Sequence, residues 1–215
     1  MKRSLAALAA LAPALALAQA TTWKIDPMHT QSSFTVRHLG ITNVRGEFKN
    51  TTGSVKLDVK DLSKSSLEAV IDATTINTRE DKRDADLRSA NFLDVEKYPT
   101  ITFKSTKVEK SGDGYKVTGD LTMHGVTKPV VLEVGALSPE LKDPWGGIRR
   151  GVSARTTVNR RDFGLQYSKM VEATPIVGNE VKIEIEAELV RPADGAAQKQ
   201  AEGNPATKAQ PATAK

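Results

Sequence analysis

Between residues 34 and 190 apolar and polar positions alternate with a period of two. Val181, Ile183, Ile185, Ala187 and Leu189 are interleaved with Lys182, Glu184, Glu186 and Glu188. Val55, Leu57 and Val59 do the same, as do Leu67, Ala69 and Ile71, and Tyr115, Val117, Gly119 and Leu121. Shorter runs of the kind occur at Phe34–Val36, Val44–Phe48, Ile101–Phe103, Val130–Val134 and Val152–Val158. Successive strand side chains face opposite ways, so each run has one apolar and one solvated face, the pattern of antiparallel sheet. Turn chemistry separates the runs at Asn50-Thr51-Thr52-Gly53, Ser111-Gly112-Asp113-Gly114 and His124-Gly125. Longer breaks fall at 138–147 and 174–179. The pattern predicts eight or nine strands.

One stretch departs from it. Residues 79–90 are charged and lack β-branched side chains, and Thr78 with Asp81 resembles a capping box. The spacing predicts a short helix over 79–90. Ala85, Leu87 and Ala90 give it a thin apolar face, which places it at a rim. So many short strands with one wet face must close or stack, because open edges invite aggregation. A barrel and a sandwich both satisfy that demand, and periodicity alone does not choose between them.

The ends read differently. Lys2 and Arg3, an apolar run from Leu5 to Ala18 and the A-x-A site Ala18-Gln19-Ala20 read as a secretory signal over residues 1–20. The run is too short for a spanning helix, which needs roughly 20 apolar residues, so no stable membrane span is expected. Residues 192–215 are mainly Ala, Gln, Lys and Pro and are expected to form a disordered tail. A single domain over 21–191 remains, in a periplasmic setting.

Composition then narrows the chemistry. The formal charge of +5 comes from the ends, since residues 21–190 lie within one charge of neutrality. With few aromatics besides, nucleic acid is not an expected partner. The absence of cysteine excludes disulfides, thiolate metal sites and a cysteine nucleophile. The three histidines, His29, His38 and His124, show no metal-ligand spacing, and no metal or cofactor is expected. Asp26, beside Pro27 and near His29, reads chiefly as a turn residue bonding local N–H groups. The pairs Arg149-Arg150 and Arg160-Arg161 either meet an anionic head group or serve turns and ion pairs. No residue set makes this an enzyme. An apolar-lined barrel suggests storage or transport of an apolar molecule.

Seven segments, in order, carry a resemblance. They are Trp23–Thr30, Ser33–Gly40, Val44–Phe48, Ser89–Leu93, Tyr98–Phe103, Gly119–Pro129 and Asn159–Gly164. Together they resemble the YceI family of lipocalin-like, polyisoprenoid-binding periplasmic proteins, over roughly 22–190. Asn91 and Leu93 depart from the family's usual Asp and second Phe.

The resemblance implies an all-β fold, a single antiparallel eight-stranded lipocalin-like barrel with one short helix near its opening. It also implies an apolar tunnel for a long-chain isoprenoid lipid, such as a polyprenyl quinone or polyprenyl chain, or a similar amphiphile; a homodimer is allowed. Phe34, Val36, Phe48, Ile71, Phe103, Val117, Leu132, Val158 and Ile183 are the expected lining. His29, His38 and Arg160 are expected near the mouth, where a head group would lie. Two alternatives stay open: a lipid-modifying enzyme using Asp26 and His29 in the same cavity, and a structural β-domain with a filled core.

Overall fold

The computed structural model describes residues 20–167, 173 and 176–193. Its strands are β1 (Thr21–Ile25), β2 (Gln31–His38), β3 (Thr42–Phe48), β4 (Thr51–Leu57), β5 (Ser66–Asp72), β6 (Thr100–Ser111), β7 (Gly114–Met123), β8 (Val126–Val134), β9 (Leu141–Lys142), β10 (Gly147–Asn159) and β11 (Val177–Pro192); the helix α1 is Asp81–Arg88. Every pairing between them is antiparallel.

Ten of the eleven segments make eight barrel strands. β11 pairs with β1 through Lys24↔Val190 and Ile25↔Leu189, then with β2 from Gln31↔Glu186 to His38↔Val177. β1 and β2 are thus two halves of one strand, bent at 26–30. β3 and β4 are likewise halves of the next, bent at Lys49–Asn50, with β3 on β2 and β4 on β1. β5, β6, β7, β8 and β10 follow in order, and β10 returns to β11 in an unbroken ladder from Gly147↔Pro192 to Asn159↔Glu180. That ladder closes the ring, which decides between barrel and sandwich. β9 is a two-residue flank on β10.

The bends explain why periodicity undercounts the segments. β1 is legible in hindsight, since Trp23 and Ile25 alternate with Thr22 and Lys24. Thr51, Thr52 and Gly53 belong to β4 and not to a turn; the turn is Lys49–Asn50. The other two turns form two-residue hairpins: Gly112–Asp113 joins Ser111 to Gly114, and His124–Gly125 joins Met123 to Val126. His124 and Gly125 both have positive φ (51° and 74°), the geometry that matches strand twist.

The helix is shorter than expected and capped differently. Glu80, not Thr78, is the cap; its carboxylate accepts from the N–H groups of Lys82 and Arg83. Thr78 instead gives its N–H and hydroxyl to the buried Asp84 carboxylate. The segment from Ala73 to Leu93 fills the wall beside β3, where β5 has ended: Glu47 and Asn77 exchange both backbone hydrogen bonds. Among the described residues no helix is long and apolar enough to cross a membrane.

Two clusters of buried apolar residues mark the barrel's ends. Trp23, Ile25, Leu57 and Leu189 form the lower one, with the guanidinium carbons of Arg191 and Arg150 lying 5.1 and 6.0 Å from the Trp23 ring. The upper one includes Ile76, Leu93, Phe103, Met123, Phe163 and Leu165. β11 runs to Pro192, one residue past the expected domain end, because Pro192 sits opposite Gly147 and the Ala193 N–H reaches the Gly146 carbonyl. The segments read as secretory signal and tail, apart from their innermost residues, lie outside the described residues.

Gly53 and Gly114 carry the closest backbone approaches, and Gly53 has positive φ as well. With φ of +151°, a Cβ there would lie 2.1 Å from the Glu68 carbonyl oxygen and 2.9 Å from the Ala69 Cα of β5. Backbone atoms in a paired strand cannot step aside. Gly53→Ala should therefore destabilise by about 2–4 kcal/mol. Gly112→Ala meets open space at φ +56° and should cost about 1–2 kcal/mol. Urea unfolding of both variants checks the order; equal losses would contradict it.

Candidate functional site

The inward faces of the strands enclose a cavity of about 1070 Å³. Its wall follows directly from strand alternation. Along β11 the lining is Val177, Val181, Ile183, Ile185, Ala187 and Leu189, while the lysine and glutamates between them face out. All nine apolar residues expected as lining are in the wall: Phe34, Val36, Phe48, Ile71, Phe103, Val117, Leu132, Val158 and Ile183. The Phe34 and Phe48 rings lie 5.7 Å apart. The interior is a cavity, so a barrel whose core is filled by side chains is not what this sequence forms.

Sequence reasoning missed part of the upper wall. The loop after α1 contributes Phe92 and Leu93, and the segment after β10 contributes Leu165 and Tyr167. The Phe92 and Tyr167 rings stack at 5.0 Å. These residues lie in irregular segments, where no period marks an inward side; only the aromatic character of Phe92 and Tyr167 offered a signal. Asn91 donates to the Asp86 carboxylate (2.9 Å), tying the departure from the family pattern back to the helix.

The polar candidates divide. His38 lines the cavity at the top of β2, on the face of Phe34 and Val36. Arg160 also lines it, yet is only 2% exposed and spends its guanidinium on backbone. It donates to the carbonyls of Leu165 (2.6 Å), Gly178 (3.1 Å) and Val177 (3.3 Å), clamping the end of β10 to the start of β11. His29 is not in the cavity wall, and neither is Asp26.

Asp26 and His29 belong to an ion-pair cluster on the outside of the barrel, where β1, β10 and β11 meet. Asp26 Oδ2 accepts from Arg149 (2.7 Å) and lies 2.9 Å from His29 Nδ1; Asp26 Oδ1 accepts from the Met28 N–H (3.0 Å). Arg149 also donates to Asp143 (2.6 Å) and to Glu188. Ligand atoms of Asp26, His29 and Glu188 lie within 4.8 Å of one another, the spacing of a cation site. The Arg149 Nη1 already bridges the two carboxylates, so a guanidinium supplies the positive charge. The expected placement of His29 at the mouth is corrected: the bend at 26–30 turns it outward onto Asp26. Asp26 and His29, the acid–base candidates, are therefore paired with each other outside the cavity lining.

Comparison with known proteins agrees with this architecture. Residues 23–189 match the YceI-like domain. The chain belongs to the YceI-like family. Proteins named UPF0312 from Yersinia pestis (strain Pestoides F) and Serratia proteamaculans (strain 568) are each 41% identical over 150 residues, 69% of this chain and 78% of theirs. Among solved structures, a Campylobacter jejuni YceI protein superposes with a TM-score of 0.61 at 29% identity, over 72% of this chain and 89% of that one. Burkholderia cenocepacia BcnA gives 0.68 at 21% identity, over 76% and 98%. A polyisoprenoid binding domain from Saccharophagus degradans, implicated in plant cell wall breakdown, gives 0.57 at 16% identity, over 79% and 98%.

In this YceI-like barrel the outer cluster holds the bend of its first strand. The His29 contact, with smaller help from Arg149 and the Met28 N–H against desolvation, lowers the Asp26 pKa to about 2. The folded value lies below the unfolded one of about 3.9. Its stabilisation is therefore complete above that value and is lost as pH falls toward 2. Asp26→Asn should cost about 1–2 kcal/mol at pH 7, with the gap to the parent protein narrowing below about pH 4. Denaturant titrations across that range check it; a gap independent of pH would contradict the assignment.

Proposed function

We propose that this protein is a periplasmic carrier that binds a long isoprenoid-type lipid, such as a polyprenyl quinone or polyprenyl chain, or a similar amphiphile, inside its barrel. The observation that carries the reading is the cavity: about 1070 Å³, walled by aliphatic and aromatic side chains from every barrel strand. That volume sits at the upper end of small-molecule sites. Its largely apolar interior, lined along β11 from Val177 to Leu189, suits a chain more than a compact polar metabolite. The fold shared with a polyisoprenoid binding domain supports the same ligand class. The periplasmic setting rests on the secretory signal read at residues 1–20.

The energetics need no directed chemistry. Each buried CH₂ contributes about 0.8 kcal/mol, so a branched chain with many carbons gains enough to offset its lost conformational freedom. A closed hydrogen-bonded wall is already formed before the ligand arrives, which lowers the cost of ordering the protein. Affinity should then follow chain length and girth.

The test is direct. Gently purified protein is extracted with organic solvent and the extract analysed by mass spectrometry; delipidated protein is then titrated with a polyprenyl quinone. The expected result is a copurifying long-chain lipid, and a rise in stability of about 2.7 kcal/mol when free ligand reaches a hundred times its Kd. No extractable lipid together with no stabilisation would overturn the proposal.

A further inference from the structure

Three hydroxyl side chains interrupt the apolar wall at mid-height, all in the cavity lining and all buried: Thr30 (7% exposed), Ser32 (2%) and Thr51 (3%). They sit where the two bent strands of the barrel turn. Ser32 faces Ile185 across β11, between Leu189 at the lower end and Val177 at the upper. Ser32 is six residues below His38, or ~20 Å at the rise of an extended strand. This is not the mouth.

Hydrogen bonding leaves donors over. Ser32 Oγ and Thr51 Oγ1 are 2.8 Å apart, and among the described residues this is the hydrogen bond each hydroxyl makes. Two hydroxyls carry two O–H donors, and one mutual bond uses one of them. Thr30 Oγ1 accepts from the Glu188 N–H (3.2 Å), which leaves its own O–H unspent. A buried donor without an acceptor is costly, about 1–3 kcal/mol, while an apolar pair of the same shape would avoid that cost. Serine and threonine are therefore poor choices for this wall unless something inside the cavity accepts from them.

We propose that Thr30, Ser32 and Thr51 form a donor subsite for an acceptor oxygen of the ligand, a ketone, quinone or amide carbonyl. The inference rests on the lipid-binding reading above and specifies it further. The subsite selects neutral carbonyl-bearing chains over plain hydrocarbons, and it places the polar group of the ligand in the middle of the barrel with its apolar chain running along the cavity from there. Among the described residues no charged side chain pairs with the three hydroxyls, although Arg37, Lys56, Arg83, Asp86 and Arg160 also line the cavity. A neutral acceptor is accordingly the fitting partner, since an ionised group there would lack a counter-charge.

The experiment compares two probes on the delipidated protein: geranylgeranylacetone, and its isosteric hydrocarbon in which C=CH₂ replaces the C=O. The parent protein should bind the ketone about 3- to 10-fold more tightly, the worth of a neutral hydrogen bond. The triple variant Thr30→Val/Ser32→Ala/Thr51→Val removes all three donors while keeping the wall apolar. It should bind both probes equally, with hydrocarbon affinity kept or raised. If the parent protein binds both probes equally, the subsite proposal fails while lipid binding stands; a resident water taking the donors would give that result. If the triple variant keeps the ketone preference, the hydroxyls are not its source and the proposal fails. If neither probe binds, the lipid-binding reading fails and takes this inference with it.

Discussion

The pairing of β10 with β11 is the interaction on which the barrel depends, because it turns a row of strands into a ring. Thirteen consecutive residues of β10 are matched, and the same β11 then carries both β1 and β2 on its other edge. Closure removes the open edges that an all-β chain of this kind would otherwise expose. It also fixes which residues face inward. Once Ile183 and Leu189 are inside, alternation carries the rest of β11 with them, and register transmits the same choice to each neighbour. The wall is rigid because its backbone hydrogen bonds are satisfied within the ring, so the interior remains open without side chains collapsing into it.

The bends at 26–30 and Lys49–Asn50 give the ring its local chemistry. Outside, the first bend is held by Asp26, which bonds Met28 within the turn and Arg149 across from β10. Inside, the same bends bring Thr30, Ser32 and Thr51 into a wall built largely from aliphatic and aromatic groups. Below them Trp23, under the guanidiniums of Arg150 and Arg191, closes the lower end. Above them α1 and the loop with Phe92 cover the stretch of β3 that β5 does not reach. One strand break therefore shapes an outer ion-pair cluster and an inner polar step together.

Much of this was legible in the sequence because a strand buried on one face writes its orientation into alternate positions. Val117, Leu132, Val158 and Ile183 could be assigned to the interior from that alone once a barrel was assumed. The choice of barrel over sandwich was not written there, since it depends on a pairing between distant segments; the motif resemblance supplied it. His29 went astray for a local reason: it lies in a bend, where alternation stops and a turn sets direction. Arg160 was placed at the cavity, but its use of three backbone carbonyls depends on how β10 meets β11. Thr51 was read as a turn residue because Asn-Thr-Thr-Gly has turn composition, and its inward position emerges only from pairing with Ile71. Tyr167 and Leu165 lie in irregular chain with no period to read.

The central claim is that the barrel interior is open, apolar space and not a packed core. Ala154→Leu tests it most directly, because Ala154 lines the cavity between Val134 of β8 and Ile185 of β11. Thermal unfolding of the lipid-free variant should show a gain of about 0.5–2 kcal/mol, as a larger side chain fills empty volume, accompanied by weaker lipid uptake. A loss of about 1–3 kcal/mol, the signature of overpacking a filled core, would contradict the account.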